Sequence, residues 1–179
     1  SVDLASAEGG FNNNELIRIP FPDEAIKIKT SLSKLGLNSK VEEFENSMNQ
    51  AAETASKKAL SILLDAIKKM SIVDALIILN GEDNAATIYL KSNTHEFLYS
   101  EFKPIIISAM EKVDLAKKWS PLIKKYNTIP FTKKLNPDLE DYITTKTIDG
   151  LFIMIAEKEK EIRTNTAARV KDLLIKIFK

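Results

Sequence analysis

The stretch Asp149-Gly150-Leu151-Phe152-Ile153-Met154-Ile155-Ala156 places five consecutive apolar side chains, residues 151–155, late in the chain. A helix without a polar face is normally surrounded by protein on all sides. We therefore predict that this segment runs through the middle of the fold and that the remaining helices wrap around it.

The predicted central helix begins at about residue 137 and ends at about residue 162. Asn136 suits the N-cap and Pro137 suits the first helical position. Acidic residues follow in the first turns and basic residues stand near the far end, which matches the helix dipole. At ~1.5 Å per residue, such a helix is roughly 39 Å long and can cross a small domain.

Composition indicates one all-α domain spanning residues 1–179. The 179 residues are 44% hydrophobic and 28% charged, ordinary values for a globular protein with a real core. Only 5 glycines and 6 prolines interrupt the chain, which favours long helices over a fold with many turns. No pair of strands with a hairpin signal and no fixed repeat is evident.

Apolar residues at helical spacing predict the other helices. The first long stripe forms a seam at helical spacing, and its alanines would let another helix come close: Val41, Phe44, Met48, Ala51, Ala52, Ala55 and Ala59. Ser39 and Glu42 form a capping box that predicts where this helix begins. Residues 56–58 are polar and predict an interruption.

Further signals divide the rest of the chain. Ser71 with Asp74 predicts a new N-terminus, and residues 80–81 (Asn-Gly) predict the end of that helix. One helix is expected after Asp83 and a separate one opening at Thr94. A final amphipathic helix is expected after Thr164 or Asn165, with its apolar face at Val170, Leu173, Leu174, Ile177 and Phe178.

Residues 18–22, Arg-Ile-Pro-Phe-Pro, contain two prolines that hold the backbone extended. Alternate residues of an extended chain share a side, so Ile19 and Phe21 should face the same way. We interpret this segment as a strap that crosses the helices. The alternative is a preorganised docking surface for a partner.

Several kinds of site are excluded or disfavoured. The chain has no cysteine and a single histidine, His95, which excludes thiolate chemistry and multi-histidine metal sites within one chain. The formal net charge of +1 gives no reason to expect nucleic acid as a partner. No run approaches the ~20 apolar residues of a membrane span. We expect no cofactor, no metal and no catalytic motif.

Three stretches in order resemble a bacterial family of uncharacterised proteins, domain of unknown function 4197, known for a RIPLP-like motif. They are residues 18–22, residues 47–53 (SMNQAAE) and residues 149–169 (DGLFIMIAEKEKEIRTNTAAR). Departures are Phe21, where leucine is usual, and Thr166, where proline is usual. The resemblance implies an exported, lipoprotein-like protein in the periplasm or attached to the outer membrane. It also implies a leader and one upstream helix before residue 1, and membrane attachment only through such a lipid anchor.

Glu45, Asn49 and Glu53 stand at i, i+4 and i+8 and therefore share one helix face. A polar row beside a helix interface could bind a cation or the polar end of a ligand. The plainer interpretation is that these groups pair with Arg or Lys from a facing element, or are solvated.

Asp149 is an acid within the most apolar helix, and burial without a partner would cost several kcal/mol. The chain has three arginines, Arg18, Arg163 and Arg169. We predict that at least one pairs with Asp149, Glu45, Glu53 or Glu157, and that guanidinium neutralises Asp149. Glu157, Glu159 and Glu161 are most simply a solvated helix end.

Three functions remain open. The leading hypothesis is a non-catalytic helical envelope domain that binds a protein partner or joins an assembly. The second is a small-molecule or lipid-binding domain with a cavity between the central helix and the seam of residues 41–59. The remote third is a carboxylate-based hydrolase that uses Glu45, Glu53 or Asp149. The candidate binding residues are Glu45, Asn49, Glu53, Arg18, Asp149, Glu157, Arg163 and Arg169.

Overall fold

A computed structural model describes residues 1–128, 130, 131, 134 and 138–165. This part of the chain contains no strand, and the predicted all-α fold is confirmed. Its helices are α1 (Val2–Ser6), α2 (Ile26–Lys34), α3 (Asn38–Ser56), α4 (Ala59–Lys68), α5 (Ile72–Leu79), α6 (Ala85–Met110), α7 (Asp114–Tyr126) and α8 (Leu139–Thr164), with a 3-10 turn at Asp23–Ala25.

The two longest helices, α6 and α8, pack against each other along much of their length, and α3 packs against both. Each long helix has 26 residues and is therefore about 39 Å long at ~1.5 Å per residue. The shorter helices α4 and α5 lie against α6, and α7 contacts α3 and α8. The core between the three main helices contains the fully buried side chains of Phe44, Met48, Leu98, Phe102 and Ile143.

The predicted central helix is confirmed as α8, shifted by two residues at each end. Its N-cap is Asp138, whose carboxylate accepts a hydrogen bond of 2.8 Å from the N–H of Asp141. Asn136 and Pro137, the predicted cap and first helical residue, lie outside the described residues, as does the predicted final helix after Asn165.

Burial of the apolar stretch on all sides is wrong for its second half. Leu151 and Phe152 are buried, but Ile153 is 42% exposed, and Met154 and Ile155 are only partly covered. The neighbours α3 and α6 cover two sides of α8. Ile153 lines a half-open groove on a remaining side. The helix is therefore central in its first half and lies at the surface in its second.

Residues 85–110 form one helix where two were predicted. Thr94 was expected to open a new helix, but its hydroxyl donates a 2.7 Å hydrogen bond to the carbonyl oxygen of Leu90. A threonine bonded to the carbonyl four residues earlier satisfies its hydroxyl inside a helix instead of capping one. Pro104 also lies within α6 and is exposed.

The capping box predicted at Ser39 and Glu42 is also wrong. Gly36 takes a positive φ of 76° and ends α2, so that α3 begins at once, at Asn38, with Leu37 as N-cap. Ser39 therefore lies inside the first turn. The interruption predicted at residues 56–58 is confirmed by the break between α3 and α4. The Ser71–Asp74 capping box and the end of α5 before Asn80 are confirmed as well.

The strap, residues 18–22, belongs to no helix and contacts α3, α7 and α8, so it crosses the helices as predicted. Ile19 and Phe21 are both buried. The Phe21 ring lies 5.5 Å from the ring centroids of Phe44 and of Trp119. Tilted and edge-to-face aromatic pairs at this distance stabilise a core beyond their buried area. The strap is thus held by its own side chains as part of the core.

Candidate functional site

The polar row of α3 faces the backbone of the N-terminal segment. Glu45, Asn49 and Glu53 are all buried, and Asn49 is 0% exposed. Unpaired polar groups at such positions would be costly, so the partners of these side chains decide whether the row is a site or a structural device.

Glu53 and Asn49 bind main-chain groups. One carboxylate oxygen of Glu53 accepts hydrogen bonds from the N–H groups of Phe11 (3.1 Å) and Asn12 (3.2 Å). Asn49 accepts from the N–H of Ile19 (2.8 Å) and donates to the carbonyl oxygen of Ile19 (2.9 Å). These contacts satisfy backbone groups of a segment that belongs to no helix or sheet.

Glu45 combines a backbone contact with two cations. Its Oε1 accepts from the N–H of Phe21 at 3.3 Å and from the ammonium group of Lys29. Its Oε2 lies 3.6 Å from a guanidinium nitrogen of Arg18. The prediction that an arginine pairs with one of the four acids is therefore confirmed for Arg18 and Glu45. The row fastens the strap to α3, and its carboxylates serve this attachment.

Asp149 pairs with a lysine, so the prediction of a guanidinium partner is wrong for it. Its carboxylate lies 2.8 Å from the ammonium group of Lys91 on α6, and both side chains are nearly half exposed. Because Asp149 stands on the partly open side of α8, it keeps access to water and does not need the fully desolvated arginine clamp that burial would demand. The pair lies at the edge of a groove of about 510 Å³ beside the strap.

Glu159 is the residue that sequence reasoning missed. Its carboxylate accepts hydrogen bonds from the N–H groups of Ala86 (2.9 Å) and Thr87 (2.8 Å) at the start of α6. The Thr87 hydroxyl donates to it at 2.7 Å. Since Asn84, the N-cap of α6, makes no side-chain cap bond, an acid from another helix supplies the missing acceptor.

Arg163 completes this arrangement. It donates to Glu159 through two nitrogens, at 2.9 and 2.8 Å, and to the carbonyl oxygen of Ile78 at the end of α5, at 2.7 Å. The pair thus joins the start of α6 to the end of α5. Burial raises the pKa of Glu159, but the hydrogen bonds from Ala86, Thr87 and Arg163 lower it by a larger amount. The pKa of Glu159 therefore lies below its ordinary value.

The remaining candidates differ in their surroundings. Glu157 is exposed, and it forms no hydrogen bond or ion pair with any other described residue. Arg169 lies outside the described residues. The interpretation of a solvated helix end holds for Glu157 and for the exposed Glu161, which pairs with Lys158, and is wrong for Glu159.

Between α8 and the seam of residues 41–59, where a cavity was predicted, α3 packs against both long helices. Open grooves on the described part of the chain include three that residues 41–59 do not line. One is bounded by the strap, α6 and α8, a second lies beside the ends of α5 and α8, and a third lies between α4 and α6. Their volumes are about 510, 540 and 470 Å³.

Helix α5 presents an unusual surface. Seven of its eight residues (IVDALIIL) are apolar, yet none of the eight is buried. Ile72 is 81% exposed and Leu79 is 72% exposed. Single exposed apolar residues are normal on a protein surface, but contiguous apolar patches usually mark contact with another molecule.

The described residues provide neither a metal-binding cluster nor a membrane-spanning helix. No group of three or more His, Asp or Glu side chains in this part of the chain could hold a metal ion. Among these same residues, no helix combines the length and the apolar character that crossing a bilayer requires.

Comparison with known protein families shows to which family the chain belongs. The model of the family described as Protein of unknown function (DUF4197) matches residues 1–179, the whole chain. The chain belongs to this family. Comparisons with curated proteins and with solved structures found no match.

In this DUF4197 protein, two of the motifs that carry the resemblance face each other. The first is the strap, and the second, residues 47–53, contains Asn49 and Glu53. The bonds of Asn49 to Ile19 join the two motifs directly. The third motif contains Asp149, Glu159 and Arg163, which attach α8 to α6 and α5. The motifs therefore coincide with the contacts that connect distant parts of the chain.

Proposed function

We propose that this DUF4197 protein is a non-catalytic helical domain that binds a protein partner through the exposed apolar face of α5. One observation carries the proposal: α5 is almost entirely apolar and has no buried residue. Its backbone is nevertheless fixed, because the Ser71–Asp74 capping box closes one end and Arg163 binds the carbonyl oxygen of Ile78 at the other. A preordered apolar helix loses little entropy when it binds.

The neighbouring helix supports the same interpretation. Leu60, Leu64 and Ile67 of α4 stand at i, i+4 and i+7, and each is close to half exposed. They share one face of α4, because this spacing follows the helical repeat. Ile62 lies on the opposite face and is buried, and Leu63, at the border of the exposed face, is buried as well. Helix α4 thus buries one side against the core, and both α4 and the following helix α5 leave apolar side chains exposed.

A protein surface fits α5 better than a bilayer interior does. The eight residues of α5 make a helix of about 12 Å, well short of the ~30 Å hydrocarbon core. The cores of protein interfaces are rich in apolar side chains and poor in charge, as α5 is. The hydrolase alternative receives no support from the polar row, because its carboxylates bind main-chain N–H groups and cations of the protein itself.

Site-specific photo-crosslinking in cells that produce the protein natively tests this proposal. A photoreactive amino acid is placed at Ile77 on α5 or, as a control, at the exposed Lys112 after α6. We expect a discrete crosslinked protein from Ile77 and none from Lys112. The Leu76→Asp substitution should abolish the crosslink, while circular dichroism shows an unchanged fold because Leu76 is exposed.

The result has clear alternatives. A crosslink between two copies of the 20.1 kDa chain would identify the assembly as a homo-oligomer, whereas a different mass would identify another protein. Equal crosslinking from Ile77 and Lys112, or crosslinking of Ile77 to lipid alone, would contradict the proposal.

We further infer an envelope location, in the periplasm or at the outer membrane, which the resemblance of the three motifs supports. Cell fractionation with antibodies against the natural protein tests it. Recovery in the cytosolic fraction, together with a cytosolic marker enzyme, would refute it.

A further inference from the structure

We propose that the groove bounded by the strap, α6 and α8, hereafter the strap groove, binds a single-chain fatty acid through its carboxylate and its acyl chain. The strap groove has a volume of about 510 Å³, within the range of ~300–1,000 Å³ that is typical of small-ligand sites. The inference concerns a surface separate from the α5 face, since none of the residues that line the groove belongs to α5.

The walls of the strap groove are apolar and accessible. Ile88 of α6, which is 56% exposed, and Ile153 of α8, which is 42% exposed, both line the groove. The buried ring of Phe152 and the exposed side chain of Leu16 also line it. Water in contact with these side chains would be released by an acyl chain lying between the two helices.

The edge of the strap groove carries more positive than negative charge. Its ionisable lining residues are three cations, Arg18, Lys91 and Lys146, and one carboxylate, Asp149. Asp149 already pairs with Lys91, and Arg18 lies 3.6 Å from Glu45. An additional anion would therefore meet a site with surplus positive charge.

Lys146 is the cation that is most available to a ligand. Its ammonium group lies 5.9 Å from the centre of the Tyr142 ring, and the described part of the chain offers it no carboxylate within ion-pair distance. A contact with an aromatic face is weak at an exposed site, so a carboxylate could replace or join it. Arg18 is nearly half exposed, and its guanidinium matches the geometry of a carboxylate.

Size and charge together select the class of ligand. An apolar channel with cations at its edge suits a molecule that has one anionic end and one apolar body. The volume and the half-open shape suit one acyl chain. The predominance of Arg and Lys over Asp at the edge disfavours a neutral ester or a cationic amphiphile.

Calorimetric titration of the purified full chain with palmitate, below its micelle concentration, tests the inference. We expect one palmitate per chain and at least tenfold weaker binding of palmitate methyl ester, which keeps the acyl chain and lacks the charge. Lys146→Gln should weaken palmitate binding about tenfold. The matched control Lys112→Gln removes an exposed lysine that does not line the groove and should leave the affinity unchanged.

A second variant tests the apolar wall. Ile153→Asn should weaken binding of palmitate at least tenfold, and circular dichroism at matched temperature checks that the fold persists. Leu76→Asp on α5 should have no effect, which separates this inference from the proposed function. Equal affinity for acid and ester, equal affinity of Lys146→Gln and Lys112→Gln, or no heat of binding would each overturn the inference.

Discussion

Asn49 and Ile19 are joined by two hydrogen bonds, one in each direction. The Asn49 amide accepts from the N–H of Ile19 at 2.8 Å and donates to its carbonyl oxygen at 2.9 Å. Two residues of adjacent antiparallel strands exchange the same pair of bonds. Here one side chain of α3 takes the place of a neighbouring strand, so an extended segment is held against a helix without any sheet.

Replacement of Asn49 by Ala should therefore lower the free energy of unfolding by about 2–4 kcal/mol. The substitution leaves two buried backbone groups of Ile19 without their partner, and each such group costs ~1–3 kcal/mol. Urea denaturation, followed by the fluorescence of the single tryptophan Trp119, measures the effect.

Gln50→Ala is the matched control for this prediction. Gln50 is the exposed neighbour of Asn49 on α3, and its replacement should change the free energy of unfolding by less than ~0.5 kcal/mol. Equal stability of the two variants would show that the two hydrogen bonds do not hold the strap.

The strap shows how far the sequence alone could go. Two prolines and alternating apolar residues suffice to predict a non-helical segment that turns Ile19 and Phe21 to the protein interior, and burial of both side chains is confirmed. The spacing of Glu45, Asn49 and Glu53 likewise predicts a shared helix face. Their partners could not be predicted, because the five N–H and carbonyl groups that they bind in the N-terminal segment all belong to the backbone, which carries no residue-specific signal.

Ile153 and Glu159 show where sequence reasoning fails. A run of apolar residues reports a preference for burial, but it cannot show that α3 and α6 leave one side of α8 open at Ile153. The role of Glu159 depends on α6 beginning nearby with a cap that makes no side-chain bond. The i, i+4 spacing of Glu159 and Arg163 was the available signal, and only the contact between helices gives it meaning.

Gly150 provides a second prediction, because α8 passes close to the N-terminal segment there. A methyl group at this position would lie 2.9 Å from a ring carbon of Phe11 and 3.1 Å from a side-chain carbon of Ile17. Gly150→Ala should therefore lower the free energy of unfolding by about 1–3 kcal/mol through overpacking, even though alanine favours a helix by ~1 kcal/mol. Thermal unfolding measures this change.

A double-mutant cycle with Phe11→Leu identifies the cause. The smaller side chain makes room for the new methyl group, so Gly150→Ala should cost at least ~1 kcal/mol less in the Phe11→Leu background. If the two costs simply add, the contact with Phe11 is not the source of the destabilisation.

Phe21 gives a third prediction, since its ring contacts both Phe44 and Trp119. Phe21→Ala should cost ~3–5 kcal/mol, the usual range for deletion of a buried ring. Phe21→Leu introduces the residue that is usual in the family's motif and fills most of the space, so it should cost roughly 1–1.5 kcal/mol. Chemical denaturation of both variants checks the order, and a leucine variant as unstable as the alanine variant would contradict it.

Glu159 gives a prediction for acid stability. Its pKa in the folded protein is below the ordinary value of 4.5, so its carboxylate stabilises the fold above that pH. This contribution to stability is lost as pH falls through the lowered pKa, because the carboxylate is then protonated in the folded protein too. Glu159→Gln should lower the free energy of unfolding by about 1–3 kcal/mol at pH 7. It should also make the decline of stability below about pH 4.5 shallower than in the natural chain, since the natural carboxylate takes up its proton there only as pH falls through its lowered pKa.

The matched control is Glu161→Gln, two residues away on the same helix. Glu161 is half exposed and pairs with Lys158 on the surface, where an ion pair contributes at most ~1 kcal/mol. Urea denaturation at a series of pH values should therefore give this variant a midpoint curve close to that of the natural chain. The two variants could instead show an equally shallow decline of stability at acid pH. That result would show that net charge, and not the attachment of α8 to the start of α6, governs acid unfolding.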